Sequence, residues 1–209
     1  MKLQVALDTL NIDECLNLLD EIHEVVDIVE VGTPFIVREG VKPVKIFKEH
    51  YDDIEVFADI KIMDGGLMES RSALDLGADI VSVMAVTNDE TIQTVIDECH
   101  KYHKKALIDM MNYSDLKQGA LKFEGMGADY ICVHTAFDTQ NKENNPISDL
   151  KAVCEVIDSS KTAVAGGINL KTIDMVAKLN PAIVIVGGCI ANAKDRTAMA
   201  IELKKHLEV

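Results

Sequence analysis

Eight short, β-branched runs recur along the 209-residue chain, and no other feature of the sequence restricts its fold so strongly. They are LQVALD (Leu3 to Asp8), IVEVG (Ile28 to Gly32), VFADI (Val56 to Ile60), IVSVMA (Ile80 to Ala85), KALIDM (Lys105 to Met110), YICVHT (Tyr130 to Thr135), TAVAGG (Thr162 to Gly167) and AIVIVGG (Ala182 to Gly188). Their starts lie roughly 20 to 30 residues apart, room for a strand, a loop and a helix of about three turns. The runs are almost continuously apolar, which fits strands buried on both faces of a parallel sheet.

Helical patterns fill the intervals. Asn11 can cap a segment whose Ile12, Cys15, Leu16, Leu19 and Ile22 share one face. Asn88 precedes a second, with Ile92, Val95, Ile96 and Cys99 as its apolar stripe and Asp89 and Glu90 in the first turn, where the helix dipole favours them. GADI (Gly77 to Ile80) and GADY (Gly127 to Tyr130) repeat as the exit from a helix into the next strand, with glycine able to take the left-handed terminal position. Strand-then-helix units with no leftover segment predict an α/β fold, a single (β/α)8 TIM barrel over residues 1–209. A doubly wound open sheet competes, but it usually needs fewer units.

Lys and Arg number 21 against 35 Asp and Glu, a formal charge of -14. That balance speaks against nucleic acid or an anionic membrane as the main partner, and a compact anionic substrate would need local donors or a metal. Cys15, Cys99, Cys132, Cys154 and Cys189 show no CxxC pairing and read as small buried thiols in a reducing compartment. The opening MKLQVALDTL meets Asp8 too early for a signal peptide, and no run of about 18 apolar residues suggests a membrane span. A cytoplasmic location is expected.

In such a barrel the C-terminal strand ends share one face, where the following loops build a site. The first six runs deliver Asp8, Glu30, Asp59 with Lys61, Ser82, Asp109 and His134 to that face; the last two deliver Gly166 with Gly167 and Gly187 with Gly188. Glu30 and Asp59, on adjacent strands, could offer oxygens to a hard cation such as magnesium, with substrate oxygens and waters completing its shell. The alternative, that each carboxylate pairs with Lys61 or another basic group, stays open. His134 alone among the histidines ends a core strand, whereas His23, His50, His100, His103 and His206 fall elsewhere, so it is the candidate for proton transfer. The glycine pairs expose backbone N–H groups after strands seven and eight, the usual phosphate site of these barrels.

The segments MKLQVALD, VEVGTPFIVREG, FADIKIMDGG, VHTAFDTQ, TAVAGGI and IVIVGGCI closely resemble the 3-hexulose-6-phosphate synthase family. Its superfamily also holds orotidine 5'-monophosphate decarboxylase and 3-keto-L-gulonate-6-phosphate decarboxylase, and the likeness runs through essentially the whole chain. The Asp-x-Lys-x-x-Asp signature at Asp59, Lys61 and Asp64 is specific to the superfamily without choosing the reaction. The resemblance implies a homodimer with shared active sites, Glu30 and Asp59 on magnesium, with manganese as the alternative, and Asp64 reaching into the partner's site. The decarboxylase branch carries glutamate at the end of strand five, arginine three residues after the strand-six histidine and threonine before the strand-seven glycines. Asp109, Phe137 and Ala165 stand there instead and resemble the synthase pattern. NKENNPISD, after Asp138 and Gln140, is more polar and longer than the family's usual continuation, so a different lid closure is expected.

The expected reaction is the aldol condensation of formaldehyde with D-ribulose 5-phosphate to D-arabino-hex-3-ulose 6-phosphate through a magnesium-stabilised enediolate. His134 would remove the C1 proton, with Asp109 next in line as base. Lys61 would supply fixed positive charge, oriented by Asp8 and Asp59. Its acidic neighbours favour the ammonium and so argue against a Schiff base. The rivals are the keto-gulonate phosphate decarboxylase, a sugar-phosphate isomerase or epimerase, and a non-catalytic phosphate-binding barrel. The last leaves His134 and Lys61 without a task.

Overall fold

The computed structural model of the chain describes residues 1–140 and 146–208. Parallel strands close into a barrel in sequence order, with the eighth pairing back onto the first. The strands are β1 (Lys2–Leu7), β2 (Ile28–Val31), β3 (Glu55–Ile62), β4 (Ile80–Met84), β5 (Lys105–Asp109), β6 (Tyr130–His134), β7 (Thr162–Ala165) and β8 (Ile183–Val186). Around them lie α1 (Ile12–Ile22), α2 (Thr33–Glu39), α3 (Lys42–His50), α4 (Gly66–Leu74), α5 (Asp89–Lys101), α6 (Leu116–Gly125), α7 (Pro146–Cys154), α8 (Ile173–Ala177), α9 (Gly188–Ala191) and α10 (Arg196–Leu207). Each run read as a strand is one, and the closed barrel replaces the open-sheet alternative. Residues 141–145 of the NKENNPISD segment lie outside the described residues, so its effect on a lid does too.

The apolar runs serve two cores by alternation. Ala6, Ile28, Phe57, Ile80, Leu107, Cys132, Ala163 and Ile183 point inward and fill the barrel. Their neighbours Val5, Val29, Ala58, Val81, Ile108, Ile131, Val164 and Val184 point outward and pack under the helices. Each aliphatic side chain fully buried in this way contributes about 1.5–3 kcal/mol. α1 starts on the expected cap: the Asn11 side chain accepts from Glu14 N–H, and the Glu14 carboxylate accepts from Asn11 N–H. Its buried face is Cys15, Leu18, Leu19 and Ile22, so the stripe is rotated from the expected one and leaves Ile12 partly exposed. Gly77 and Gly127 take φ of 96° and 95°, as the GAD repeat suggested.

Two features were not foreseen. The β2 to β3 crossing carries two helices, because Gly40 (φ 67°) ends α2 before Pro43 reinitiates the chain in α3. β3 is also irregular: Ala58 pairs with Val81 and Ile62 with Val83, so Asp59, Ile60 and Lys61 stand opposite Ser82 alone.

The floor of the barrel is fastened by a repeated clasp. The aspartate just before each of β2, β4 and β6 bonds in both directions to the preceding strand. Asp27, Asp79 and Asp129 donate their N–H to Leu3, Val56 and Ala106 carbonyls. Their carboxylates accept the N–H of those same residues at 2.6, 2.9 and 2.9 Å. Lys204 pairs with Asp27, and Lys48 and Lys104 pair with Asp79 at 2.9 and 2.6 Å. Burial alone would raise the Asp79 carboxyl, but hydrogen bonds from Lys104, Val56 N–H and Lys48 outweigh it and hold it below the ordinary range. A depressed folded pKa contributes stability that is present above the unfolded value, about 3.9, and is lost as pH falls through the folded value. Asp79→Ala is therefore expected to lose about 1–3 kcal/mol at pH 7 by urea denaturation, and the gap from the parent should close on acidification below about pH 4.

Candidate active site

The polar residues missing from the barrel interior gather at the C-terminal rim, around a cavity of about 1060 Å³. Its floor is Ala6, Phe57, Leu107, Cys132, Ala165 and Ile185, and its walls include Asp8, Glu30, Asp59, Lys61, Asp109 and His134. Gly166, Gly167, Gly187 and Gly188 line the same cavity. At the ends of β1, β2, β3, β5 and β6 the inward-facing position one step above the apolar layer carries the polar residues, as strand alternation allows.

The Lys61 side chain ties β3 to β5. Its Nζ lies 2.5 Å from Asp59 Oδ2 and 3.1 Å from Asp109 Oδ2. Burial opposes the ammonium, but Asp59 and Asp109 outweigh it and hold the proton far above the usual lysine range. The alternative of carboxylate–lysine pairing is therefore realised for Asp59. Glu30 makes no ion pair among the described residues. Buried in β2, it accepts a hydrogen bond from Gln4 Nε2 at 2.5 Å. Burial, then the charges of Asp59 and Asp8, push its carboxyl well above the ordinary range against Lys61 and Gln4. Asp8 is raised as well, by burial first and then by Asp59.

Asp109 ends β5 and is almost wholly enclosed. Its Oδ2 also meets His134 Nδ1 at 2.8 Å, and its Oδ1 accepts Met111 N–H at 2.9 Å. Burial would raise this carboxyl, yet the His134 hydrogen bond and charge, Lys61 and Met111 N–H bring it down to about 2. An ionised Asp109 can only accept, so His134 Nδ1 carries the hydrogen and Nε2 is the nitrogen left to take a proton.

The glycine loops sit across the cavity, after β7 and β8. Gly166 has φ of 99°, and a Cβ there would stand 2.3 Å from Thr135 carbonyl oxygen, so no other residue fits without moving the loop after β6. Asn169 and Asn192 line the cavity beside these loops.

Asp64 is the candidate that this chain does not bring in. It lies exposed in the turn after β3, caps Gly65 N–H at 2.7 Å and is absent from the cavity wall. Phe137 stands at the mouth, 84% exposed, in a short turn of 3-10 helix. Gln4 and Thr33 escaped the reading of the sequence. Gln4 looked like one polar residue inside an apolar strand, but it shares inward parity with Ala6 and Asp8, which is the signal that could have found it. Thr33 follows the β2 glycine, and its hydroxyl donates toward the Asp59 main-chain oxygen (2.7 Å) and lies 3.0 Å from Asp59 Oδ2.

Among the described residues, no group of three or more His, Cys, Asp or Glu side chains is arranged to hold a metal. The donor set nonetheless suits a hard divalent cation. The charge of Asp59 raises the carboxyls of both Glu30 and Asp8, Glu30 has no ion-pair partner among the described residues, and Gln4 Oε1 is buried without a partner.

The model of the orotidine 5'-phosphate decarboxylase / HUMPS family matches residues 1–203. The 3-hexulose-6-phosphate synthase of Bacillus subtilis (strain 168) is 42% identical over 205 residues, covering 98% of each chain. That of Staphylococcus aureus (strain bovine RF122 / ET3-1) is 42% identical over 208 residues, covering 100% of this chain and 99% of its own. The crystal structure of 3-hexulose-6-phosphate synthase from Salmonella typhimurium superposes with a TM-score of 0.96 at 43% identity, covering 100% of this chain and 99% of that one. The crystal structure of KGPDC from Streptococcus mutans shares the fold at a TM-score of 0.90 and 19% identity, over 99% of this chain and 97% of its own. With a family match along nearly its whole length and relatives well above 30% identity, the chain belongs to the orotidine 5'-phosphate decarboxylase / HUMPS family.

Proposed function

We propose that the protein is an aldehyde-lyase that joins formaldehyde to D-ribulose 5-phosphate, giving D-arabino-hex-3-ulose 6-phosphate. The observation that carries this reading is the Lys61–Asp109–His134 chain, which pairs a proton acceptor with a fixed ammonium on one wall of a cavity whose other wall is glycine-lined. The naming of full-length relatives for the same reaction supports it.

The phosphate binds in the loops of Gly166, Gly167, Gly187 and Gly188, so that energy remote from C1 positions the reacting carbon. His134 Nε2 takes the C1 proton while Asp109 holds the ring and balances the charge it gains. The electron pair left at C1 is delocalised onto the C2 oxygen, where the Lys61 ammonium favours negative charge. C1 then attacks the formaldehyde carbon; the new C–C bond forms, the C=O pair moves to oxygen, and the proton held by His134 neutralises it. Glu30 and Asp59 would hold magnesium or manganese, a Lewis acid for the ketose oxygens when bound. The high proton affinity of Lys61 argues against an imine route.

Asp109, Phe137 and Ala165 favour this reaction over decarboxylation of a keto-gulonate phosphate, because an apolar ring at the mouth gives the C1 carboxylate of that substrate no cation. A homodimer with shared sites accounts for Asp64: exposed Met63, Leu67 and Met68 flank it and suit burial against a second copy. The cysteines are all free, which favours the cytoplasm.

Incubation of the purified protein with formaldehyde and ribulose 5-phosphate should yield hexulose phosphate, and chelation should abolish it until magnesium is restored. Undiminished turnover with residual metal excluded by elemental analysis would remove the metal from the reading. His134→Asn should slow exchange of the C1 proton with deuterated solvent by about 10²- to 10⁴-fold while phosphate binding persists. Mixed dimers of inactive Lys61→Ala and inactive Asp64→Ala subunits should recover activity, since one of their shared sites would carry neither defect; verified mixed dimers without activity would count against the shared site.

A further inference from the structure

Ser82 has no part in the chemistry above, yet it is wholly buried on β4 at the place where β3 loses its regular pairing. Three β3 residues crowd opposite it, which shortens the rise between Asp59 and Lys61 and turns the backbone. At the turn Lys61 takes φ of 56°, a left-handed conformation that persists in a bulky residue only where its surroundings impose it. Ser82 contacts both Lys61 and Asp59 at this turn. Its Oγ accepts Lys61 N–H at 2.9 Å and lies 2.8 Å from Asp59 Oδ1. An N–H can only donate, so the hydroxyl hydrogen is directed at the carboxylate.

We infer that Ser82 is a positioning residue, whose single hydroxyl sets the orientation of the Asp59 carboxylate and the strained backbone of Lys61 together. The inference rests on the proposed reading of this site. Asp59 Oδ2 is already engaged by Lys61 and approached by Thr33. Oδ1 takes only the Ser82 hydroxyl among the described residues, which leaves a lone pair there for a cation. Loss of the hydroxyl frees Asp59 to rotate and leaves Lys61 N–H unpaired, so the ammonium and the cation-facing oxygen move off station in one step. A serine that merely satisfied a strand N–H would affect stability alone.

Three substitutions separate these roles. Ser82→Ala removes both hydrogen bonds, Ser82→Thr keeps the hydroxyl on a strand-compatible side chain, and Ser82→Cys keeps the size with a weak donor. Magnesium affinity is read by calorimetry on the sugar-free protein, alongside kcat, the KM for ribulose 5-phosphate, the Kd of inorganic phosphate and the thermal midpoint. For Ser82→Ala and Ser82→Cys, magnesium affinity and kcat should each fall about 10- to 100-fold, with KM and phosphate affinity unchanged, and Ser82→Thr should restore most of both. Parental magnesium affinity and kcat in Ser82→Ala would overturn the assignment. So would a joint fall of magnesium affinity, phosphate affinity and thermal midpoint that Ser82→Thr fails to reverse. If the parent makes no hexulose phosphate the proposed reaction fails, while the calorimetric comparison of variants still decides the role of Ser82.

Discussion

The Lys61 ammonium, shared between Asp59 and Asp109, is the interaction on which the rim depends. Converging carboxylates at the mouth of an apolar barrel repel one another and lose hydration, and a single buried cation offsets both effects for two of them. Removing one partner of such a pair commonly costs about 3–5 kcal/mol, because the other charge is left enclosed and uncompensated. Asp109 passes the effect onward by fixing which His134 nitrogen carries the hydrogen. Glu30 has no ion pair in this balance, and burial, then the charges of Asp59 and Asp8, raise its proton affinity beyond what Lys61 offsets, so a further positive charge would suit it.

The barrel was legible in the sequence because its strands are buried on both faces and therefore stand out as apolar runs, most of them ending at or beside a polar or glycine residue. The rim residues were legible for the same reason: a charge at the end of such a run has only one face to reach. What escaped is the irregularity of β3, since Val56 to Ile62 keeps the alternation of a regular strand and the extra residues appear only when β4 is laid beside it. Gln4 escaped because one amide barely disturbs an apolar pattern. Asp64 was named through a family resemblance, and nothing within one chain draws it to the cavity.

The fold itself says little about the reaction. KGPDC from Streptococcus mutans, at 19% identity, has nearly the same barrel, so the shape of the fold does not choose the reaction. Phe137 belongs to the specificity set of the proposed reading. It is a large apolar side chain left almost entirely in solvent at the mouth of the cavity, a placement that packing does not explain.

The aspartate clasps bear on how the chain reaches this shape. Each joins residues only 23 or 24 positions apart. Loop-closure entropy is smallest for such short spans, so each strand pair can be latched soon after both of its strands have left the ribosome. The seam between β1 and β8 joins the two ends of the chain and carries no aspartate of this kind. It is the costliest pairing to close in entropy, and until it closes both edge strands present unpaired backbone to other chains. The barrel is thus most open to misassociation during the interval after its pairs are latched and before its seam is shut.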